Sequence, residues 1–234
     1  MSKIRVSEIF GPTIQGEGVV IGRPTMFVRI AGCDYRCSWC DSMHAVDPVL
    51  IKKTAVLMEP DDISLALLDL STLCKMVTIS GGNPVMYDLQ ELERELHRWE
   101  YTIAVETQGS IYRDWLLDCD IVTVSPKGPS SGMTTDWKVL DEVLRRCATK
   151  ANIKVVVFDD DDIVYARLIR SHYPKLPFTL QVGTRGGLSL EESRLQILTQ
   201  MESLTERVLK DDILCNCTIL PQLHTLMWGS RLGV

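Results

Sequence analysis

Short apolar runs rich in β-branched residues alternate along the chain with longer stretches of helical period. The runs Met26–Ile30, Met76–Ser80, Ile103–Glu106, Ile121–Ser125, Ile153–Phe158 and Phe178–Val182 predict strands. Apolar residues spaced by three and four predict helices over Asp61–Leu73, Leu89–Trp99, Asp136–Cys147, Asp162–Ser171 and Leu190–Lys210. Asp61 and Asp88 stand where capping residues belong. Regular strand–helix alternation with near-continuously apolar strands predicts a parallel sheet covered by helices. Six such units in 234 residues fall short of an eightfold barrel, which takes about 250. The pattern therefore predicts an α/β fold, either an incomplete (β/α) TIM-like barrel of about six parallel strands or an open doubly wound sheet. No linker-like tract or internal repeat divides the chain. It reads as a single domain over residues 1–234, with a short N-terminal extension and a C-terminal tail.

Ligands on parallel sheets collect at the carboxyl ends of the strands. Five predicted strand ends run into small, polar or charged residues: Ala31-Gly32-Cys33, Ser80-Gly81-Gly82-Asn83-Pro84, Glu106-Thr107-Gln108-Gly109, Ser125-Pro126-Lys127-Gly128 and Gln181-Val182-Gly183. Any strand-to-helix turn favours such residues, but five together point to one ligand-lined rim. Composition narrows the class. With 45% hydrophobic and 24% charged residues the chain is not disordered, and a net charge of −6 offers nucleic acid no electrostatic attraction. Its longest apolar runs, such as Val155–Phe158, are far short of the ~20 residues of a membrane helix. The N-terminus lacks the apolar core of a secretory signal, so a cytoplasmic protein is expected. The run Asp159–Asp162 reads as a solvated loop and helix N-terminus.

Cysteine usage changes the picture most. Three of eight cysteines fall in Cys33-Asp34-Tyr35-Arg36-Cys37-Ser38-Trp39-Cys40, a C-x₃-C-x₂-C loop directly after a predicted strand. Three thiolates there suit three irons of a [4Fe–4S] cluster, leaving the fourth iron open. A zinc site completed by His44, or unrelated buried cysteines, are the alternatives. Cys74, Cys119, Cys147, Cys215 and Cys217 lie in or near apolar segments and read as small core residues.

The three-cysteine loop, together with the glycine-rich Gly81-Gly82-Asn83-Pro84, resembles the radical S-adenosylmethionine (SAM) enzymes, although Asn83 stands where glutamate is more frequent. Further segments recur with it: Gln15-Gly16-Glu17-Gly18, Arg29, Cys40-Asp41-Ser42, Glu106-Thr107-Gln108-Gly109, Ser125-Pro126-Lys127 and Leu220-Pro221-Gln222-Leu223-His224. As a set, spanning about Phe10 to His224, they resemble the 7-carboxy-7-deazaguanine synthase family of queuosine and 7-deazapurine biosynthesis.

The resemblance implies a lyase that converts 6-carboxy-5,6,7,8-tetrahydropterin to 7-carboxy-7-deazaguanine with loss of ammonia. The electron and the radical would come from a [4Fe–4S] cluster and SAM, with Mg²⁺ as a further cofactor and a flavodoxin-like or ferredoxin-like protein as reductant. By the same resemblance, Cys33, Cys37 and Cys40 would ligate the cluster and Ser42 would ligate Mg²⁺. Trp39, Cys40, Asp41, Gly82, Glu106, Ser125, Pro126, Lys127 and Gln181 would surround SAM, Gly82 giving the methionine moiety room. Ile14, Gln15, Gly16, Glu17, Arg29, Ser80, His224 and the terminal Val234 would bind the pterin. A homodimer is implied, with no nucleic-acid or membrane partner. Each residue also has a plainer role available: Arg29 an ion-paired strand residue, Glu17 a turn residue, Ser42 a helix cap, His224 a core histidine. An activase acting on a partner protein, or a zinc or iron–sulfur protein without SAM chemistry, are the competing functions.

Overall fold

A computed structural model describes residues 3–234; Met1 and Ser2, included in the single-domain reading, lie outside the described residues. Nine strands form one sheet: β1 (Ile4–Ile14), β2 (Pro24–Ile30), β3 (Val56–Met58), β4 (Met76–Gly81), β5 (Thr102–Thr107), β6 (Ile121–Val124), β7 (Ala151–Val157), β8 (Phe178–Val182) and β9 (Thr218–Leu220). The order is β3-β1-β2-β4-β5-β6-β7-β8-β9. From β2 to β9 every neighbouring pair is parallel, whereas β1 runs antiparallel to both β2 and β3. The sheet is open rather than closed, with β3 and β9 at its edges. All six predicted strands are present.

The helices are α1 (Pro48–Thr54), α2 (Pro60–Leu70), α3 (Gln90–Arg98), α4 (Trp137–Arg146), α5 (Asp160–His172), α6 (Leu190–Val208) and α7 (Leu223–Trp228). Because the parallel strands follow one another across the sheet without reversal, right-handed crossovers bring their helices to the same face. This is barrel-like winding, not the doubly wound alternative. Val77, Ile79, Ile103, Val105, Val122, Val124, Ile153, Val155 and Leu180 join Ile63, Leu67, Leu92, Leu96, Leu140, Leu144, Ile169, Ile197 and Leu204 in one core.

The opposite face is polar. Thr25, Thr78, Thr123, Asn152, Lys154, Thr179 and Gln181 point to it and are buried. The strands are thus two-faced rather than continuously apolar, because helices cover only one side. The N-terminal extension is strand β1, whose pattern is broken by register shifts between Val6 and Glu8 and between Phe10 and Thr13. Strands β3 and β9, three residues each, are too short for a periodic signal. Helix α2 starts at Pro60 with Glu59 and Asp62 forming a reciprocal capping box, so Asp61 sits in the first turn rather than capping. Among the described residues, no helix is long and apolar enough to cross a membrane.

Candidate functional site

A cavity of about 460 Å³ opens on the polar face at the carboxyl ends of the parallel strands, where His224 and Thr225 of α7 border it. It is lined by every residue assigned above to cluster, SAM, Mg²⁺ or pterin except Pro126 and Gln181. Pro126 is buried in the turn after β6. Gln181 is fully buried on β8, with neither amide atom hydrogen-bonded.

The cysteine loop leaves β2 and is braced on both sides. At its base Gly82 N donates to Ile30 O (3.1 Å) and Asn83 N to Gly32 O (2.7 Å). A Cβ on Gly82 would stand 2.0 Å from Gly32 O. Contact between two chain segments therefore demands glycine at position 82, a reason different from room for the methionine moiety. Asn83 is fully buried and does not line the cavity. Its Nδ2 donates to Asp34 Oδ1 (2.7 Å), and its Oδ1 accepts from Thr107 Oγ1 (2.9 Å). Gln108 Nε2 reaches the same Asp34 oxygen at 2.7 Å and Cys33 Sγ at 3.7 Å.

On the far side, Ser38 N donates to Ser131 O (2.9 Å) and Trp39 Nε1 to Ser130 Oγ (2.9 Å). Asp162 holds that segment: its carboxylate accepts from Ser130 N (3.1 Å) and Phe158 N (2.9 Å). The run Asp159–Asp162 is therefore solvated only in part, because Asp162 is fully buried on backbone donors that lack other partners. Trp39 packs on Phe158 at 5.0 Å between ring centroids, with Lys127 Nζ 5.7 Å from its ring.

Burial pushes all three loop thiols up, Cys40 to about 11, so each holds its proton until a metal displaces it. Among the described residues no three His, Cys, Asp or Glu side chains gather closely enough to hold one ion. Three thiols facing one cavity from separate points suit a cluster, in which each binds a different iron. A mononuclear zinc site suits them less, since four ligands must converge on one ion. His44, the fourth ligand of that alternative, has its Nε2 3.0 Å from Glu8 Oε1. Among the remaining cysteines, Cys119 and Cys147 are buried as expected, but Cys215 is exposed because its segment forms a turn before β9.

Glu8 also anchors Arg29, whose Nε donates to it at 2.6 Å. Arg29 Nη1 donates to Ser42 Oγ (3.3 Å), and that hydroxyl donates to Asp41 Oδ1 (2.8 Å). A guanidinium, a hydroxyl and two carboxylates thus share one corner, a donor set suited to a hard cation and an anionic ligand. Ser80 Oγ, buried on the same rim, has no partner among the described residues.

The floor of the cavity is a buried ion cluster. Lys154, on the polar face of β7, pairs with Glu17 and, at 3.2 Å, with Glu106. Gln15 Nε2 donates to Glu106 Oε1 (3.1 Å) and Gln222 Nε2 to Glu17 Oε1 (2.6 Å). Burial would raise the pKa of Glu17, but Lys154 and His224 outweigh it and hold Glu17 well below the usual carboxylate range. Burial would lower Lys154, and Glu106 and Glu17 reverse that. For Lys127, burial and then the nearby Lys154 depress the pKa. A Cβ on Gly16 would stand 2.0 Å from His224 Nδ1, so glycine admits the histidine here. The tail from Gly229 to Val234 closes the rim.

Sequence reasoning missed Lys154 and Glu8, and it quoted Gln108 and Gln222 within motifs without giving either a role. Lys154 carried a signal, as a charge inside the strand Ala-Asn-Ile-Lys-Val-Val-Val. Glu106, assigned to SAM, lines the cavity and bonds to Lys154 and to Gln15, a residue assigned to the pterin.

No family model matches the chain. Among individual proteins, a 7-carboxy-7-deazaguanine synthase from Bacillus cereus is 45% identical over 239 residues, covering all of both chains. One from Bacillus subtilis is 43% identical, covering 99% of this chain and 98% of its own. The chain belongs to the 7-carboxy-7-deazaguanine synthase family. Its fold is that of QueE from Escherichia coli, with a TM-score of 0.64 at 23% identity over 95% of each chain. SuiB from Streptococcus suis, solved with its precursor peptide SuiA, shares the fold more distantly: TM-score 0.52 and 14% identity, covering 88% of this chain and 51% of that one.

Proposed function

We propose that this member of the 7-carboxy-7-deazaguanine synthase family catalyses the family's reaction, converting 6-carboxy-5,6,7,8-tetrahydropterin to 7-carboxy-7-deazaguanine with release of ammonia. The conversion balances without a net oxidant, since the product differs from the substrate by one molecule of ammonia. The observation that carries the reading is a single cavity where the three-cysteine loop, the Arg29–Ser42–Asp41 corner and the Gln15–Glu17 edge meet. Full-length identity of 45% supports it independently.

When bound, a [4Fe–4S] cluster and SAM supply the electron and the carbon radical that such a ring contraction needs. Cys33, Cys37 and Cys40 would hold the cluster, with N–H donation from Tyr35 and Gln108 to Cys33 Sγ lowering the charge on that sulfur. Trp39, Asp41, Gly82, Ser125 and Lys127 would enclose SAM, and the unpaired Gln181 amide suits a polar ligand group at that depth. Pro126 would act by shaping its turn. Ser42 would offer Mg²⁺ its hydroxyl, Arg29 would pair with the substrate carboxylate, and Ser80 would hydrogen-bond the pterin. Gln15 and Glu17 would receive the pterin's amide and amine edge, with Ile14, Gly16, His224 and Val234 enclosing it. We read the chain as one catalytic domain of a cytoplasmic homodimer, reduced by a flavodoxin-like or ferredoxin-like donor, with no nucleic-acid or membrane partner.

Anaerobic reconstitution with iron and sulfide, then incubation with reductant, SAM, Mg²⁺ and the carboxytetrahydropterin, tests this. The expected outcome is deazapurine product and about four irons per chain. Undiminished turnover after Cys33, Cys37 and Cys40 are all changed to Ala would overturn it, as would SAM cleavage that yields no deazapurine.

A further inference from the structure

We propose that Lys154 is a positioning residue for substrate recognition: it keeps Glu17 a double acceptor, so that the site selects a ring edge presenting two adjacent N–H donors. The inference deepens the functional reading above and rests on it.

Glu17 lines the cavity, yet only 13% of its side chain is exposed. A carboxylate carries about four lone-pair sites. In Glu17, Lys154 occupies Oε2 and Gln222 occupies Oε1, which leaves one site on each oxygen for a ligand. Two parallel acceptors match a cyclic amide N–H beside an exocyclic amine, as in a 2-aminopyrimidinone ring. The match depends on charge. An uncompensated carboxyl at this depth takes up a proton and becomes donor on one oxygen, and the complementarity is lost. Lys154 is the residue that compensates, with only 4% of its side chain exposed. It cannot turn away, since Glu106 holds the same ammonium from the other side at 3.2 Å and is itself fixed by Gln15. The local sequence supports this geometry: the left-handed Gly18 (φ +64°) turns the chain so that Glu17 descends towards β7, and a Cβ there would meet Thr123 and Lys154. The ion pairs of Lys154 go to Glu17 and Glu106 and to no residue of the cysteine loop, so its effect is expected in binding rather than turnover.

Fluorescence titration of the anaerobic holoenzyme with two oxidised, unreactive probes tests the proposal. The probes are pterin-6-carboxylate and lumazine-6-carboxylate, which has oxygen in place of the 2-amino group. The native chain is expected to prefer the pterin by about tenfold or more, since the wrong edge leaves buried acceptors unpaired. Lys154→Met should compress that preference to about twofold, raising the pterin Kd while the lumazine Kd changes little. Lys154→Gln, which keeps a neutral donor for both carboxylates, should compress it likewise and serves if the Met chain does not fold. Lys154→Arg should retain the preference. Equal weakening of both probes in the neutral variants, as general disorder of the cavity would cause, overturns the proposal; so does an unchanged ratio. A native chain that turns over the carboxytetrahydropterin but does not discriminate the probes overturns this inference alone. A native chain without that turnover overturns the functional reading and this inference together.

Discussion

The two faces of the sheet are built from the same strands and obey opposite rules. On β4, Val77 and Ile79 enter the helix-covered core, whereas Thr78 and Ser80 point to the cavity side. On β7, Ile153 and Val155 do the first and Asn152 and Lys154 the second. The apolar face draws its stability from area removed from water, about 25 cal/mol per Å². The polar face gains little that way, and each buried group there must be matched to a partner or to a ligand. Fold and site are therefore interleaved residue by residue. A substitution one position along a strand moves from a stability effect to a recognition effect.

The comparison breaks most visibly on the apolar side. Ile79→Ala, at a fully buried position, should cost about 3 kcal/mol and lower the thermal midpoint measured by calorimetry, while pterin affinity per folded molecule stays unchanged. Gly82→Ala comes next, where the new methyl meets Gly32 O at the base of the cysteine loop. It should cost about 2 kcal/mol and lower the iron retained after reconstitution, a readout Ile79→Ala leaves intact. Smaller is Thr78→Val on the polar face, which removes a hydroxyl paired with Thr25 Oγ1 at 2.9 Å. The expected loss is about 1 kcal/mol in denaturant titration.

Last, pH should barely move the stability contributed by the ion cluster across the physiological range. Glu17 is depressed, so its contribution is complete above about pH 4.3 and is lost as pH falls through its folded value. Lys154 is raised, so its contribution is complete below about pH 10.4 and is lost as pH rises through its folded value. Denaturant midpoints between pH 6 and 9 should therefore run parallel to those of a Glu17→Gln, Lys154→Met double variant. A slope confined to the native chain in that window would show that the Glu17–Lys154 pair titrates there after all.

The contrast also shows what could be read in advance. The six predicted strands were legible as short apolar, β-branched runs between stretches of helical period, because such runs must be buried whatever the rest of the fold does. The cysteine loop was legible because its ligands are neighbours in sequence, so a short loop alone brings them together. Arg29, Ser42 and Gln15 became legible as a set through resemblance, and all three line the same cavity. Lys154 stayed hidden because its partners lie 137 and 48 residues away in the chain. The same holds for Asn83, whose difference from the more common glutamate looked like a question about ligands. Its neighbours Asp34, Ser110 and Thr107 make it a brace of the cysteine loop instead.

By itself, then, the amino-acid sequence determined the α/β alternation, a strand–helix count short of an eightfold barrel, and the three thiols of one loop. All of these follow from periodicity, chain length and local spacing. Only the tertiary structure decided that the helices share one face, that β1 extends the sheet, and that Glu17, Glu106 and Lys154 meet beneath the cavity. Those outcomes depend on strand order and register, which bring distant residues together through hydrogen bonds between backbones whose sequence pattern does not specify the partner.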